Sequence, residues 1–521
     1  MANYLVGCDI GTSATKSVVI NEEGRILGKK TIGYPTLSNS KGWAEHDPEW
    51  YWQTTADTIL AAVKEAGIDN KDIKGICLSA HSPACILVDK YGNPLQLSHF
   101  WMDRRGTEET KYIDEKIGTD RVFELSGNII DPYYATVKLL WEKNNRPDLY
   151  KKACKFLTVV DYPRMKLTGK MVVDYSNASL VGVVFDIVNK KWDTKMLEEI
   201  GLDAEKYPEL AACDKIVGEV TREAAERTGL KEGTPVLAGT VDCNAAWVAG
   251  GMLSDGDMSV VMGSAGVMGI AHKKPKFTKN LITIVHAAQS ETMYTTLAAI
   301  CGCGSSLRYY KETFAGLDNI VANQMGENEY DYLCERAAKV PAGSNGLLTL
   351  PYFMGERTPI WNPIARGVVF GMTYSHTRDH LLRSFLEGAA LALKHNFELF
   401  RETGIELKLP LIMGEGGAQS PLWRQIVCDC IGIPGAYISD AMSAPFGDAV
   451  MAGVATGVFK DFSMIKEWNQ ISDITNPIPE NQEIYEDLYK IYRNLYEEVQ
   501  GNYEELARVI GKMESRKKAQ H

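Results

Sequence analysis

Two stretches almost half a chain apart are written to one plan. GCDIGTSATKSVV, residues 7–19, and SVVMGSAGVMGI, residues 259–270, each run apolar into a glycine with a small hydroxyl, then turn apolar again. In the first, NYLVGCDI reads as a buried strand, GTSAT as a turn, KSVVI as a second strand and NEEGR as the turn into ILGKK. Glycine lets backbone amides approach a ligand and neighbouring hydroxyls complete an anion cradle, so a phosphate fits such a tip. The Walker loop needs GxxxxGK followed by Ser or Thr, and the dinucleotide loop needs GxGxxG opening a helix; here a strand follows, so neither matches. One copy alone reads more readily as a plain hairpin with a polar tip. A second copy favours two tips gripping one polyphosphate.

The rest of the sequence limits the context. A chain of 521 residues is too long for one core, because cores stop growing near roughly 250–300 residues, so two large domains are expected. A net charge of −11 works against nucleic acid or anionic membrane as partner and leaves small ligands. Eleven scattered cysteines without paired CxxC spacing, no secretory signal and no apolar run long enough to cross a bilayer point to a cytoplasmic protein. Cys301 and Cys303, in CGCGSS, lack a matching pair for zinc and read as small residues in a glycine turn; Cys428 and Cys430 read as helix packing residues.

PVLAGTVDCNAAWVAGGM, residues 235–252, reads as an apolar strand, then Asp242, then a helix of small residues. An aspartate there is commonly an N-cap. It is also kept ionised by the helix dipole, and an ionised carboxylate facing a phosphate site can take the proton of an attacking hydroxyl.

At this point the chain resembles a known family. DIGTSATK, GWAEHDPEWYW (42–52), WMDRRG (101–106), LTGKMVVDYSNAS (167–179), GTVDCNAA (239–246), CGCGSSLRYY (301–310), GERTPIWNPIARGVVFGMT (355–373) and EGGAQSPLWRQI (415–426) occur in the order seen in FGGY carbohydrate kinases, nearly end to end. The resemblance implies an α/β fold of two ribonuclease-H-like domains, as in actin and the sugar-kinase ATPases, each a βββαβα core, around a central cleft. It implies an N-terminal domain over 1–250 on the sugar and phosphate side, a C-terminal domain over 251–475 on the nucleotide side, and a helix and tail over 476–521. It implies ATP and Mg2+ as cofactors and a small sugar or polyol as substrate. Carried over by motif, Asp9 would hold magnesium together with Asp242, and Asp242 would be the catalytic base. Gly11, Thr12, Ser13 and Lys16 would form the first phosphate hairpin, Gly263 and Ser264 the second, with Gly302 and Gly304 in a nucleotide-side turn. Gly416 and Gly417, after the strand LPLIM, would carry the adenosine; a strand cap is the alternative. Trp101 would wall the substrate site and Asp103 and Arg104 bind or frame it, where an exposed Asp–Arg pair is otherwise a surface ion pair. Tyr133 would contact substrate, or be a core tyrosine.

Specificity is where the chain departs from its relatives. In CLSAHSPACILVD, residues 77–89, His81, Ser82 and Pro83 stand where ketopentose kinases such as xylulokinase carry Gln-Met-His and glycerol kinases carry Gln-Arg-Glu. A histidine there resembles certain polyol kinases, such as those for erythritol; His81 is equally a satisfied core histidine. The overall pattern favours xylulose, with gluconate, glycerol, L-ketoses and other polyols as alternatives. An actin- or chaperone-like ATPase would not need WMDRR or Asp242, and a sugar-sensing repressor would carry a DNA-binding segment. Tyr485, Tyr489, Tyr492 and Tyr496 recur at helical spacing, marking a packed face or a homodimer contact. Residues 380–400 read as a similar helix in which Gly388 allows close packing, and ESRKKAQH as a frayed basic tail.

Overall fold

The computed structural model describes residues 2–39, 43–438, 443–469, 471 and 473–518. The chain forms two compact units, and neither is continuous in sequence. The first comprises Met1–Asp255, Ala271–Thr296 and Ala441–Gln470; the second comprises Gly256–Ile270, Leu297–Asp440 and Ile471–His521.

In the first unit the strands Tyr4–Ile10, Ala14–Ile20 and Ile26–Gly33 form an antiparallel meander. Tyr4–Ile10 also pairs in parallel with Ile73–Ala80. The sheet continues through Pro235–Leu237, parallel, to Ile216–Glu219, antiparallel, at its edge, while Thr240–Val241 extends the pairing of Ile73–Ala80. Side chains alternate between faces along each strand. On one face, Thr15 and Ser17 meet Thr54 and Thr58 of the helix Pro48–Ala66 at 2.7 and 2.8 Å. That helix begins where a sequence reader would start it: Asp47 caps it by accepting from Glu49 N–H, Pro48 follows, and Gly67 ends it with a left-handed φ of 64°. On the other face lies the helix Ala444–Ala455, and the fit is tight. A Cβ on Gly7 would stand 1.8 Å from the carbonyl oxygen of Pro445, and one on Gly447 would stand 2.0 Å from that of Ala245. Glycine is required there for volume, not for dihedral freedom.

The second unit repeats the plan. Met258–Met262 and Gly266–His272 form an antiparallel hairpin flanked by Tyr294–Ile300, and Met258–Met262 pairs in parallel with Leu411–Gly414, which pairs in parallel with Gly435–Tyr437. Asp473–Thr475 closes the edge antiparallel. Along each sheet the two outer antiparallel strands and the first strand are therefore followed by two strands parallel to the first, here the fourth and fifth, and then by an antiparallel edge strand, which precedes its neighbour in the chain in the first sheet and follows it in the second; Ile282–Val285 lies beyond Tyr294–Ile300 in the second sheet. Each unit inserts a long helix before its fourth strand: Pro48–Ala66 in the first, Arg378–Glu402 in the second. This is the duplicated βββαβα core expected from the two hairpins.

In the carboxy-terminal region one open alternative is decided and one expectation is corrected. Tyr485, Tyr489, Tyr492 and Tyr496 are buried within their own unit, so that face is packing. The helix Pro479–Lys518 continues through most of the segment read as a frayed tail; residues 519–521 lie outside those described. Of the motifs, GWAEHDPEWYW begins at Gly42, which is likewise outside them.

The wedge predicts a sharp contrast between two glycine substitutions. Gly7→Ala forces backbone against backbone and should cost about 3 kcal/mol or more. Gly501→Ala, on the long helix with no atom within 4 Å of the added Cβ, should be neutral or stabilise by up to about 1 kcal/mol. Urea unfolding midpoints of the two variants check this; equal midpoints would refute the wedge.

Candidate active site

Parallel pairing brings three strand ends of the first unit together. Asp9 is opposite Ser79 and Ile10 opposite Ala80, while on the far side of the same strand Thr240 is opposite Ser79 and Val241 opposite Ala80. His81 N–H then donates to the carbonyl of Ile10 at 2.9 Å. Asp9, His81–Ser82 and Asp242 therefore leave the sheet at neighbouring carboxyl ends, which is where open α/β sheets bind ligands.

Asp242 differs in detail from a helix cap. The cap position of Asp242–Ala249 falls on Val241, which is still extended because it pairs with Ala80, so the helix begins at Asp242 itself. Its Oδ1 accepts from Cys243 N–H at 2.6 Å, and the side chain is half-buried.

The hairpin tip is shaped by its neighbours. Gly11 N–H donates to Ala14 O at 3.0 Å and Tyr34 N–H to Ser13 O at 3.1 Å, while the Tyr34 hydroxyl donates to Gly11 O. Trp101 Nε1–H donates to Thr12 Oγ1 at 3.0 Å, which ties the WMDRR segment to the tip. Asp9 is buried, its antiparallel partner Lys16 exposed.

The acceptor side holds the most informative side chain. His81 is 2% exposed, yet neither ring nitrogen has a hydrogen-bond partner among the described residues, and the hydroxyl of buried Ser82 is in the same state. No protein group among the described residues satisfies the imidazole, which speaks against the core-histidine alternative. Leaving such groups unpaired costs about 1–3 kcal/mol each, a cost that a ligand bearing hydroxyls would remove. Burial, reinforced by His46, holds the His81 imidazole well below its usual pKa, so it is neutral near pH 7. Its ring is edge-on to Phe100 at 5.3 Å, His46 at 5.7 Å and Tyr51 at 5.8 Å. His46 is satisfied, by Tyr51 Oη at 2.9 Å and Thr36 Oγ1 at 3.0 Å. The Tyr133 hydroxyl donates to Ser82 O at 3.2 Å, so it supports this loop from behind.

The Asp103–Arg104 pair does not form. Asp103 is fully buried and accepts from Ala44 N–H at 2.8 Å and from Arg105 at 2.6 and 2.8 Å; Arg105 also pairs with Glu45 at 2.7 Å and lies 4.0 Å from the ring centre of Trp43. Arg104 pairs instead with Asp131 at 2.6 Å. The charge order of the motif was legible, but which arginine turns inward depends on tryptophans far along the chain. Sequence reasoning also missed Asp448. This acid sits on the wedge helix, is fully buried and accepts from Ser79 Oγ at 2.7 Å. Burial and then the nearby charge of Asp9 push its pKa well up. A lone acid in the apolar run APFGDAVMAGVA was the available signal.

In the second unit the glycines assigned to the nucleotide also collect at one sheet end. Gly304 N–H donates to Gly263 O at 2.9 Å, and Ser305 N–H and Cys303 N–H donate to Ser264 O at 3.0 and 3.3 Å. The helix Gly304–Phe314 thus spends its leading amides on the hairpin tip. A Cβ on Gly304 would come within 2.6 Å of Gly263 O, and one on Gly302 within 2.2 Å of Pro351 O. Val261 is opposite Gly414, so Gly416 and Gly417 follow beside the same tip, in the short helix Glu415–Gln419 rather than as a strand cap. A Cβ on Gly417 would meet Met262 O at 2.9 Å, whereas Gly416 has open space around it.

No cluster of three or more His, Cys, Asp or Glu side chains suited to a metal occurs among the described residues. Asp9 and Asp242, at neighbouring strand ends, are oxygen donors of the kind magnesium takes, one or two protein carboxylates beside waters and substrate phosphates. Among the described residues no helix is long and apolar enough to cross a membrane.

Residues 4–249 match the FGGY family of carbohydrate kinases, N-terminal domain, and residues 258–456 its C-terminal domain. The chain is 30% identical to the xylulose kinase of Bacillus subtilis over 94% of its own length and 96% of the relative's. It is 29% identical to the gluconokinase of the same organism, over 94% and 95%. The crystal structure of xylulose kinase from Rhodospirillum rubrum superimposes with a TM-score of 0.85 at 27% identity, covering 96% of this chain and all of that one.

The His46 environment yields a pH prediction. Burial lowers its pKa from 6.5 to about 4. The unfolded chain takes up that proton first, so the stabilisation is complete above pH 6.5 and is lost as pH falls from 6.5 towards 4. Urea midpoints across this interval should fall less steeply for His46→Gln than for the parent; superimposable slopes would contradict the assignment.

Proposed function

The chain belongs to the FGGY family of carbohydrate kinases, and from that premise we propose that it transfers the γ-phosphoryl group of ATP to one hydroxyl of a ketopentose, with xylulose as the leading candidate. The observation that carries the substrate side is the convergence of Asp242 with two buried, unpartnered polar groups, His81 and Ser82, at adjoining strand ends. A site with such groups discriminates strongly for substrates that satisfy them, because an analogue lacking the hydroxyl leaves them unpaired.

In this reading Asp242 accepts the proton of the attacking hydroxyl as the oxygen approaches the γ-phosphorus. Neutral His81 and Ser82 Oγ orient the other hydroxyls. Trp101 forms a wall fixed by its bond to Thr12, and Asp103 acts as framework: with Arg105 and Ala44 taking its oxygens, it orders the loop that carries Trp101 and Arg104. Gly11, Thr12, Ser13 and Lys16, and on the second unit Gly263 and Ser264, offer amides, hydroxyls and one ammonium to the phosphates. Gly302 and Gly304 hold the second tip in shape, and Gly416 and Gly417 give the adenosine a surface without side chains. Asp9, with Asp242, would hold magnesium, which when bound offsets phosphate charge. Positioning and charge stabilisation supply most of the rate in phosphoryl transfer.

Coupled ADP release over a panel of xylulose, gluconate, erythritol and glycerol tests this. Xylulose should give the highest kcat/KM; a preference for gluconate would move the substrate but keep the reaction, and no turnover above the water background with any sugar would overturn both. Asp242→Asn should lower kcat by about a hundredfold to ten-thousandfold while ATP still binds. His81→Ala and Ser82→Ala should act mainly through the sugar, each costing about tenfold or more in kcat/KM.

A further inference from the structure

Where the strand Tyr294–Ile300 ends, its last backbone groups pass to residues 356–358, the ERT of the motif GERTP. Three successive residues meet three. Ala299 N–H donates to Thr358 Oγ1 at 2.7 Å, Arg357 Nη2 donates to Ile300 O at 3.4 Å, and Cys301 N–H donates to Glu356 Oε1 at 2.7 Å. Thr358 N–H also donates to Ala299 O at 3.3 Å, and Arg357 N–H to the same Glu356 oxygen at 2.8 Å. An amide just past a strand end has lost its ladder partner, and leaving one buried and unpaired costs about as much as a lost hydrogen bond. The wrap is close: a Cβ on Gly302 would stand 2.2 Å from Pro351 O, and one on Gly355 2.6 Å from Pro363 O.

Glu356 is braced from behind. It is 5% exposed, and its N–H donates to Asn362 O at 2.9 Å. Asn362 Nδ2 donates to Tyr496 Oη at 3.2 Å and Tyr352 shares a 2.7 Å bond with Tyr492, so the helix Pro479–Lys518 fixes residues 352–362 at both ends. Burial pushes the Glu356 carboxyl up to about 7, and ionised or neutral it keeps one oxygen free to accept from an amide. In front of it the chain runs from Cys301 directly into Cys303, Gly304 and Ser305, whose amides donate to Gly263 O and Ser264 O. The motif therefore meets the hairpin tip through one short piece of backbone.

We propose that Glu356 is a positioning residue for the nucleotide: by taking the Cys301 N–H, while Thr358 takes that of Ala299, it fixes the turn whose amides hold the tip at Gly263 and Ser264 in shape. This role rests on the reading of that tip as the second phosphate hairpin. It is exerted through backbone alone, so it should be felt in nucleotide binding and not in sugar binding.

Fluorescence titration of the full chain with methylanthraniloyl-ATP and magnesium, beside steady-state kinetics on the best sugar of the panel, tests this. Glu356→Ala and Thr358→Val should each weaken nucleotide binding and raise the KM for ATP by about fivefold to tenfold, with the KM for the sugar held within about twofold. Glu356→Gln keeps an acceptor oxygen and should stay within about twofold of the parent in both. Circular dichroism reports whether each variant folds, and Thr358→Val, nearly isosteric, carries the test if Glu356→Ala does not. Unchanged nucleotide binding in the folded variants would overturn the proposal. So would equal rises in both KM values, the mark of a general loosening, or a glutamine variant as weak as the alanine one. Because the titration needs no sugar, a parent that binds the nucleotide but phosphorylates nothing would fail the kinase reading alone, whereas a parent that binds no nucleotide would remove both.

Discussion

The parallel pairing of Tyr4–Ile10 with Ile73–Ala80, pressed from one face by the helix Ala444–Ala455, is the constraint on which the first unit depends. It decides which side chains meet. Because Asp9 and Val241 both register against the last turn of one central strand, a slip of a single residue would send Asp9 to the opposite face and carry the Asp242 helix with it. Gly7 and Gly447 set how closely the wedge approaches, so the placement of the acids is determined by backbone contact at residues that touch no ligand.

That dependence explains what could be read in advance. The hairpins, their glycine tips and the duplicated plan were legible because each is local: alternation, a turn and a second strand lie within about twenty residues. The family motifs carried the rest of the architecture. Register was not legible, since it joins segments about seventy and about one hundred and sixty residues apart. Asp103 shows the same limit. WMDRR contains two arginines after its aspartate, and nothing local says that Arg105 turns inward onto Trp43 and Trp141 while Arg104 turns to Asp131. Asp242 was placed one residue from its actual station for a related reason: the strand before it lasts longer than its own sequence requires, because its partner strand holds it.

The buried acids of the first unit divide into two kinds. Asp161 is fully paired, with Arg164 at 2.7 Å and Thr158 N–H at 2.8 Å, and Asp103 likewise meets its partners in full. These are structural in the plain sense that removing one partner would strand a charge. Asp448 is different, because what it meets is the serine hydroxyl opposite Asp9 and the field of Asp9 itself. Two acids so placed cannot both be charged cheaply, and burial selects Asp448 as the neutral one.

Specificity follows from the same economy of partners. His46 and His81 sit in one aromatic cluster, both kept neutral by burial, yet the structure treats them oppositely. His46 has Tyr51 and Thr36, so its hydrogen-bonding capacity is used and it serves to fix Phe100, on which it stacks at 4.2 Å. His81 has been given the same walls and no partner. A neutral imidazole offers one donor and one acceptor, and the adjoining serine hydroxyl offers both, so the loop presents a set that vicinal hydroxyls can satisfy in full. A carboxylate would use only the donors and leave the imidazole acceptor buried and unmet. On that ground the neutral polyhydroxy end of a ketopentose or polyol suits residues 81–82 better than an acid group does, and any acid-bearing substrate would have to keep its carboxylate away from them, with its hydroxyls towards His81.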